Sequence, residues 1–314
     1  MSWLPLFGNF TFEQNGDAIF HGEQISYLDA SQIERTDGAL AGLALTDEAF
    51  SGGKISVTVQ IEDRADRLFC GICLASNPSA ISQLIAGVGG ASAHGSMFAI
   101  EAFDDKKWQS FPQSSVGFFE NIALNTPYRL EATVRGQFVT LKVNDVQVIE
   151  TTLPSTVGGR PCGIYALSKG NVRFSNFKIE QRKPRAFVAM QFSAPFNELY
   201  SSVIQPVCDS MQIEPFRVDE QYGPGIIIQD ITRQITGAAV VIAEITPSNA
   251  NVYYEVGFAH ALNKPTILVA ERGIKLPFDV SGFRVLMYEN TINGKANFES
   301  GLREHLKAIL LPSE

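Results

Sequence analysis

The chain has 314 residues, with 25 Lys and Arg against 33 Asp and Glu and a formal net charge of −8. At roughly 100 to 200 residues per domain, this length predicts about two domains. Hydrophobic residues are 45% and charged residues 18% of the chain, which is typical of a folded protein and excludes a disordered one. An acidic chain lacks the Lys and Arg density of a phosphate-backbone binder, so we expect no nucleic acid partner.

The sequence predicts neither a membrane span nor an export signal. Its apolar runs are much shorter than the ~18 to 20 residues that cross a bilayer. The start, residues 1–12, has no basic segment followed by an unbroken apolar segment, as a secretion signal would. We therefore expect a cytoplasmic protein with no membrane partner.

The four cysteines do not predict a metal or redox site. Cys70 and Cys73 form a C-x-x-C within residues 68–74, an apolar run typical of a strand. A redox C-x-x-C uses a helix N-terminus to lower the thiol pKa, and zinc needs two further ligands nearby. The four histidines are scattered, so we predict buried, inert thiols and no metal.

The first 180 or so residues have the period-two pattern of β-strands. Apolar and polar residues alternate through residues 55–61 and again through residues 130–135. Asn144 and Asp145 separate two further apolar runs and indicate a hairpin turn. We predict an antiparallel β-sandwich.

This half resembles concanavalin-like jelly-roll domains. The resemblance rests on a leading Phe-rich segment, the strand at residues 51–59, the hairpin at Asn144 and a closing strand at residues 172–179. Such domains bind carbohydrate, hydrolyse it or mediate interactions. The sequence has no paired carboxylates at a spacing that favours glycosidase chemistry. The resemblance therefore implies a sensing, interaction or assembly module, with a small molecule or glycan-like compound as its ligand.

A charged segment, residues 180–185, separates the β-rich part from an alternating α/β part, and predicts domains at 1–182 and 183–314. The second domain is expected to be flavodoxin-like, with five parallel strands. Its predicted strands are 186–192, 213–218, 238–245, 266–270 and 283–288, and its predicted helices are 196–211, 226–235, 251–262 and 298–311.

Ligands of such sheets bind beyond the carboxyl ends of the strands. The candidate substrate-binding residues at these ends are Met190, Gln191, Phe192, Asp219, Thr246, Asn249, Asn251 and Tyr254. The polar residues among them are equally typical of strand-end caps and turns, and a tyrosine here is suited either to packing or to stacking on a base.

Glu255 is the candidate catalytic carboxylate. Asn251 is a plausible N-cap for a helix that begins at Val252, and Glu255 then lies on the apolar stripe of that helix. One interpretation is structural, with Glu255 paired to an arginine or completing a cap. The other is functional, because a helix N-terminus stabilises an anion held at the edge of the sheet.

Three segments resemble the nucleoside 2-deoxyribosyltransferase-like group, which is akin to enzymatic TIR domains. They are AFVAM (186–190), IQDITRQITGAAVVIA (228–243) and NANVYYEVGFAHALNKPTI (249–267). Both groups break or exchange the N-glycosidic bond between a base and a ribose-type sugar. The resemblance implies that Glu255 is catalytic and that Asp230 is the family's aspartate on the preceding helix.

The resemblance implies an N-glycosidase, with NAD as the leading substrate and not a cofactor. Alternatives are a nucleoside or nucleoside-monophosphate glycosidase, a 2-deoxyribosyltransferase, and a non-enzymatic TIR-like scaffold that binds nucleotide or self-associates. The sequence lacks a Gly-rich phosphate loop, so any phosphate recognition must use helix N-termini or isolated basic residues. It departs from the transferase pattern after Asp279, which favours hydrolysis. By analogy with bacterial defence effectors, we expect the β-sandwich to regulate activity, and the protein to form a homo-oligomer.

Overall fold

The structure is a computed structural model. It describes residues 2–22, 25–28, 34–37, 40–63, 67–79, 82–92, 95–104, 106–217, 227–246, 248–276, 280 and 282–310. The chain divides into two compact units. Unit 1 contains Met1–Val134, Val139–Leu153 and Gly159–Arg182, and unit 2 contains Arg135–Phe138, Pro154–Gly158 and Lys183–Glu314.

Unit 1 is built mainly from two seven-stranded sheets whose strands we number in chain order. The first sheet contains, side by side, β1 (Trp3–Phe7), β6 (Leu40–Phe50), β15 (Arg160–Ser168), β8 (Phe69–Asn77), β9 (Ser82–Gly89), β10 (Phe98–Asp104) and β11 (Lys107–Val116). The second contains β14 (Val146–Thr152), β13 (Phe138–Val143), β12 (Tyr128–Arg135), β7 (Gly53–Ile61), β16 (Val172–Gln181), β3 (Ala18–Phe20) and β2 (Phe10–Phe12). A further pair, β4 (Ile25–Leu28) and β5 (Glu34–Asp37), is antiparallel, and a short 3-10 helix spans Phe119–Asn121.

The predicted antiparallel sandwich is confirmed. Strand β7 pairs antiparallel with β12 on one side and with β16 on the other. Its alternate residues Ile55, Val57, Val59 and Ile61 are fully buried, as the period-two pattern requires. The predicted hairpin is also present, because Asn144 and Asp145 connect β13 to β14 with φ values of 49° and 67°. Left-handed φ at both central residues is typical of a two-residue hairpin turn.

All four cysteines are buried free thiols. Burial raises the pKa of Cys70 and Cys208 to about 12 and that of Cys162 to about 11, and it raises the pKa of Cys73 further. Thiols with such pKa values are protonated and unreactive at neutral pH. The prediction of buried thiols is confirmed.

Unit 2 contains the predicted five-stranded parallel sheet. Its strands lie in the order β18 (Glu214–Phe216), β17 (Arg185–Ala189), β19 (Val240–Glu244), β20 (Thr266–Glu271) and β21 (Val285–Tyr288), and neighbours are parallel. The helices whose bounds lie within the described residues are α1 (Ala194–Leu199), a π-helical turn (Tyr200–Ile204), α2 (Gln205–Ser210), α3 (Ile227–Gly237), α4 (Ala250–Ala261) and α5 (Ile292–Leu310).

The sheet of unit 2 has an apolar core on each face. Val240 and Ile242 of β19 pack in one core with α1, α2 and α5, whereas Val241 and Ala243 pack in the other with α4. A strand covered on both faces needs a continuous apolar run, which explains why β19 shows no alternation in sequence.

Several predicted boundaries in unit 2 were wrong. The closing helix begins at Ile292, six residues before the predicted Phe298, because the Thr291 hydroxyl accepts a hydrogen bond from the Gly294 N–H at 2.9 Å and caps it. The predicted helix at 196–211 begins at Ala194 and includes the π-helical turn. Within the described ranges, no helix has the length and apolar character needed to cross a bilayer.

Candidate functional site

The strand order of unit 2 places a topological switch point at the carboxyl edge of its sheet. Strands β17 and β19 are hydrogen-bonded neighbours, with Ala189 opposite Ala243. The chain leaves β17 toward α1, which packs on one face, and leaves β19 toward α4, which packs on the other. Ligands of open α/β sheets bind at such a switch point, where the two connections diverge.

The N-terminus of α4 lies after β19 and is capped by Asn249. The Oδ1 atom of Asn249 accepts hydrogen bonds from the N–H groups of Asn251 at 2.9 Å and Val252 at 3.5 Å. The helix begins at Ala250, so the predicted cap at Asn251 and start at Val252 were wrong by two residues. Asn251 is exposed in the first turn, and Asn249 has a capping role that the structure fully explains.

Glu255 lies in the second turn of α4 and is half-buried. Val252, Val256 and Ala259 of the same helix are buried against the sheet. Burial raises the pKa of the Glu255 carboxyl to about 7. No residue in the described ranges donates a hydrogen bond to this carboxylate or forms an ion pair with it, so the arginine partner considered in the structural interpretation is not found there.

A second glutamate, Glu244, is the last residue of β19. The sequence places it at the carboxyl end of the third predicted strand but predicts no role for it. Its side chain is 1% exposed, and its Oε1 atom accepts hydrogen bonds from the Thr246 N–H at 3.0 Å and the Tyr288 hydroxyl at 3.3 Å. Burial is the main reason that the pKa of Glu244 is raised to about 7, and the charge of Glu271 also raises it. A carboxylate that ends an otherwise apolar strand was the sequence signal that could have identified this position.

Thr246 connects Glu244 to the next strand. Thr246 is buried, and its Oγ1 accepts a hydrogen bond from the Glu271 N–H at 3.0 Å. Tyr288 ends β21 opposite Glu271 of β20. The carboxyl ends of three adjacent strands are therefore tied together around Glu244.

The residues that follow β17 lie on the other side of the switch point in the chain order. Met190 is buried in the core, whereas the amide Nε2 of Gln191 donates a hydrogen bond to the Ser193 Oγ at 3.3 Å. The ring of Phe192 is half exposed, and the Arg217 guanidinium lies 5.2 Å from its centre. Arg217 also donates a hydrogen bond to the Asn197 Oδ1 at 2.8 Å. The segment after β17, together with Arg217, thus supplies an amide, an aromatic ring and a cation.

The remaining predicted site residues have different surroundings. Tyr254 is half exposed on α4, one residue before Glu255. Asp230 is exposed in the first turn of α3. Asp219 lies outside the described residues.

Aromatic residues of the β-sandwich pack mainly on one another. The ring centres of Phe69 and Trp108 are 5.5 Å apart, and those of Trp108 and Tyr165 are 5.6 Å apart. These residues belong to one core cluster on the first sheet. The cluster explains their presence by packing alone.

No family model matches this chain, and no curated protein matches it. Among solved structures, the chain is similar to a CBM66 carbohydrate-binding module from Bacillus subtilis, with a TM-score of 0.42, 14% identity, and coverage of 56% of this chain and 92% of that one. It is also similar to a kappa-carrageenase from Pseudoalteromonas carrageenovora (TM-score 0.33, 12% identity, 53% and 80% coverage). A CMP N-glycosidase from Clostridium botulinum has a TM-score of 0.30 and 16% identity, with 38% and 98% coverage. TM-scores of this size carry no argument about activity.

Proposed function

We propose that residues 183–314 form an N-glycosidase that cleaves the base–ribose bond of a nucleotide, with Glu255 as the catalytic carboxylate and NAD as the first substrate to test. The observation that supports this proposal most strongly is the environment of Glu255. A half-buried carboxylate in the second turn of the helix that follows β19, with no hydrogen-bond donor among the described residues, is costly to bury, and ionisable groups with such raised pKa values are frequent at functional sites.

The proposed chemistry needs such a carboxylate. Cleavage of an N-glycosidic bond passes through an oxocarbenium-like state, and a carboxylate beneath the sugar ring stabilises charge that exists mainly in the transition state. Glu255 can also attack the anomeric carbon and form a glycosyl ester that water then hydrolyses. Both roles require the ionised form, so activity should rise with pH through about 7, the pKa of Glu255.

The other predicted site residues suit substrate binding. The Gln191 amide can donate to sugar hydroxyls, and the exposed rings of Phe192 and Tyr254 can stack on a base. Asp230 remains a predicted catalytic partner by the family resemblance. We propose hydrolysis in preference to base exchange, and a regulatory role for residues 1–182, with a glycan-like or other small ligand and self-association as its expected interactions.

The experiment incubates the full-length protein with NAD and with the four common nucleoside 5′-monophosphates, and follows the released base by mass spectrometry. Glu255→Gln should lower turnover by about 100-fold or more, as loss of a transition-state stabiliser does. Glu304→Gln is the matched control, because Glu304 is an exposed carboxylate paired with Lys307 on α5. Equal turnover by Glu255→Gln and the wild type would remove Glu255 from the mechanism.

Binding without cleavage would instead support the scaffold alternative. Calorimetry with NAD, followed by recovery of the ligand, distinguishes the two. Intact NAD after saturating incubation would rule out NAD hydrolysis by the isolated full-length chain.

A further inference from the structure

We propose that the turn Arg135–Phe138 is a conformational lock on unit 2, and that Glu255 is correctly positioned for catalysis only while this turn is seated. The turn connects β12 to β13, yet it belongs to unit 2. The inference rests on the proposed N-glycosidase function and names an element that regulates the same site.

The turn packs backbone to backbone against the end of α3. Gly136 has a φ of +58°, in the left-handed region that glycine adopts without strain. A Cβ at this position would lie 2.5 Å from the Ala238 carbonyl oxygen and 2.6 Å from the Thr236 carbonyl oxygen. The close approach of the turn to α3 therefore depends on the absence of a side chain at Gly136.

Gln137 joins the ends of two helices. Its backbone N–H donates a hydrogen bond to the Thr236 carbonyl oxygen in the last turn of α3 at 3.1 Å. Its Nε2 atom donates to the Leu262 carbonyl oxygen, directly after α4, at 2.8 Å. The last carbonyl groups of a helix have no partner within it, so Gln137 supplies donors that both helices need. Gln137 is 2% exposed, whereas connecting segments usually lie on the surface.

The α4 helix connects this contact to the candidate site. Leu262 is the C-cap of α4, and Glu255 lies about two helical turns earlier on the same helix. Ile235 of α3 is buried in the same core as Val256 of α4. Holding the two helix ends together therefore fixes the axis of α4 and, with it, the position of Glu255.

The seated turn is incompletely hydrogen-bonded, which makes it releasable. The Oε1 atom of Gln137 is buried and has no hydrogen-bond partner among the described residues. A buried acceptor without a partner costs free energy, and that cost disappears when the acceptor reaches water. This cost offsets part of the stabilisation that the two donated hydrogen bonds provide.

Lys264 keeps the end of α3 hydrogen-bonded when the turn leaves. Its Nζ atom donates to the Thr236 carbonyl oxygen at 3.0 Å and to the Ala238 carbonyl oxygen at 2.8 Å. The Lys264 side chain is buried, so these bonds do not depend on the turn for their place in the fold. Unit 2 can therefore release the turn without unfolding, and the turn has two states that a ligand can bias.

The turn is continuous with two strands of the sandwich. The chain enters unit 2 at Arg135 and leaves it at Phe138, which end β12 and begin β13. A ligand or a second copy of the chain that shifts these strands would move the turn. The size of its effect on Glu255 equals the difference in its binding free energy to the seated and released states. The regulatory role proposed for residues 1–182 thereby gains a defined structural element.

Two variants of the full-length protein release the turn by different means. Gln137→Met nearly retains the shape of the side chain and removes its hydrogen-bond donor. Gly136→Ala places a Cβ against the end of α3. Gly16→Ala is the control, because Gly16 has a φ of +89° and no atom within 4 Å of a Cβ, so the substitution adds backbone strain without an overlap.

Hydrogen exchange followed by mass spectrometry measures the seating of the turn independently of activity. In both turn variants, the amides of residues 232–239 and 256–264 should exchange about fivefold faster or more than in the wild type, because the helix ends lose a partner. Gly16→Ala should leave the exchange of these segments unchanged.

Turnover of NAD and of the four common nucleoside 5′-monophosphates tests the link to Glu255. A displaced carboxylate stabilises the transition state less well and leaves substrate binding nearly unchanged. In both turn variants, kcat should therefore fall by about fivefold or more, while KM changes by less than about twofold. Far-ultraviolet circular dichroism gives the folded fraction of each preparation, and kcat is expressed per folded molecule.

Three results would overturn the inference. Unchanged exchange in both variants would show that the turn does not hold the helix ends. Faster exchange with an unchanged or raised kcat would remove the link to Glu255 and leave the N-glycosidase proposal intact. If the wild type cleaves none of the substrates, the proposed function fails, and the regulation of Glu255 fails with it, whereas the exchange rates still show whether the turn holds α3 and α4.

Discussion

Replacing Glu255 by glutamine removes a carboxyl group that ionises with difficulty, and we expect the replacement to stabilise unit 2 in alkaline solution. Glutamine has nearly the same shape and stays neutral. The wild-type carboxyl has a pKa of about 7 in the folded chain against an ordinary value of 4.5. The folded state therefore holds its proton more tightly than the unfolded state does.

The sign of the pH dependence follows from this difference. Below pH 4.5 both states are protonated, and Glu255 imposes no cost. Between pH 4.5 and about 7 the unfolded state loses its proton first, so the free energy of unfolding of the wild type falls as pH rises. At about 1.36 kcal/mol per pKa unit, the raised pKa lowers the free energy of unfolding of the wild type by about 3 kcal/mol above pH 7. Partial exposure of the side chain reduces the expected effect to about 1 to 3 kcal/mol.

Urea unfolding monitored by far-ultraviolet circular dichroism measures this quantity, since all described α-helices lie in unit 2. Glu255→Gln should be more stable than the wild type at pH 8 and close to it at pH 4.5. Glu304→Gln, an exposed carboxylate, should show no such difference between the two pH values. A stabilisation below about 0.5 kcal/mol at pH 8, or one that is the same at both pH values, would refute the assigned burial cost.

Three further predictions concern stability. Asn249→Ala should cost about 1 kcal/mol in urea unfolding because α4 loses its cap, whereas Asn251→Ala should cost much less. Glu101→Gln should destabilise the sandwich by about 2 kcal/mol, measured by tryptophan fluorescence, because the buried Glu101 Oε2 accepts the N–H groups of Ala91 and Ser92, each at 2.9 Å. Gly89→Ala should cost about 2 kcal/mol or more in thermal unfolding, since its φ is +86° and a Cβ would overlap the Leu68 carbonyl oxygen. Gly95→Ala, at φ +94° with no atom near a Cβ, should cost less, and an equal loss would contradict the overlap.

The periodicity of the sequence was sufficient to predict the type of sheet in each half. In β7, apolar and polar residues alternate because only one face of the strand is buried. In β19 they do not alternate, because both faces are buried. Each pattern can be recognised from the residues of the strand alone. The start of α5 was missed because Gly294 follows Asn293, a pair that favours a turn. Only the structure shows Gly294 held against the Glu289 backbone beneath the Thr291 cap.

Part of the candidate site could also be predicted from the pattern of apolar and polar residues. Glu255 could be identified because the apolar residues on its face of the helix are close to it in the sequence. The position of Glu244 at the end of an apolar strand is also visible in the sequence. Its contact with Tyr288 is not, because the two residues are 44 positions apart and meet only when β19 and β21 join the same sheet. The sequence also does not show that only one carboxyl oxygen of Glu244 accepts hydrogen bonds.

The four buried thiols give the two units separate reporters. Cys70, Cys73 and Cys162 lie in unit 1, and Cys208 lies in unit 2. A thiol reagent can modify them only after the surrounding structure opens, because their raised pKa values suppress the reactive thiolate in the folded chain. The mass of labelled peptides over time would therefore measure the opening rate of each unit within the same intact molecule. A ligand that binds one unit would slow the labelling of the thiols in that unit. Any slowing of labelling in the other unit would measure the coupling between the two units.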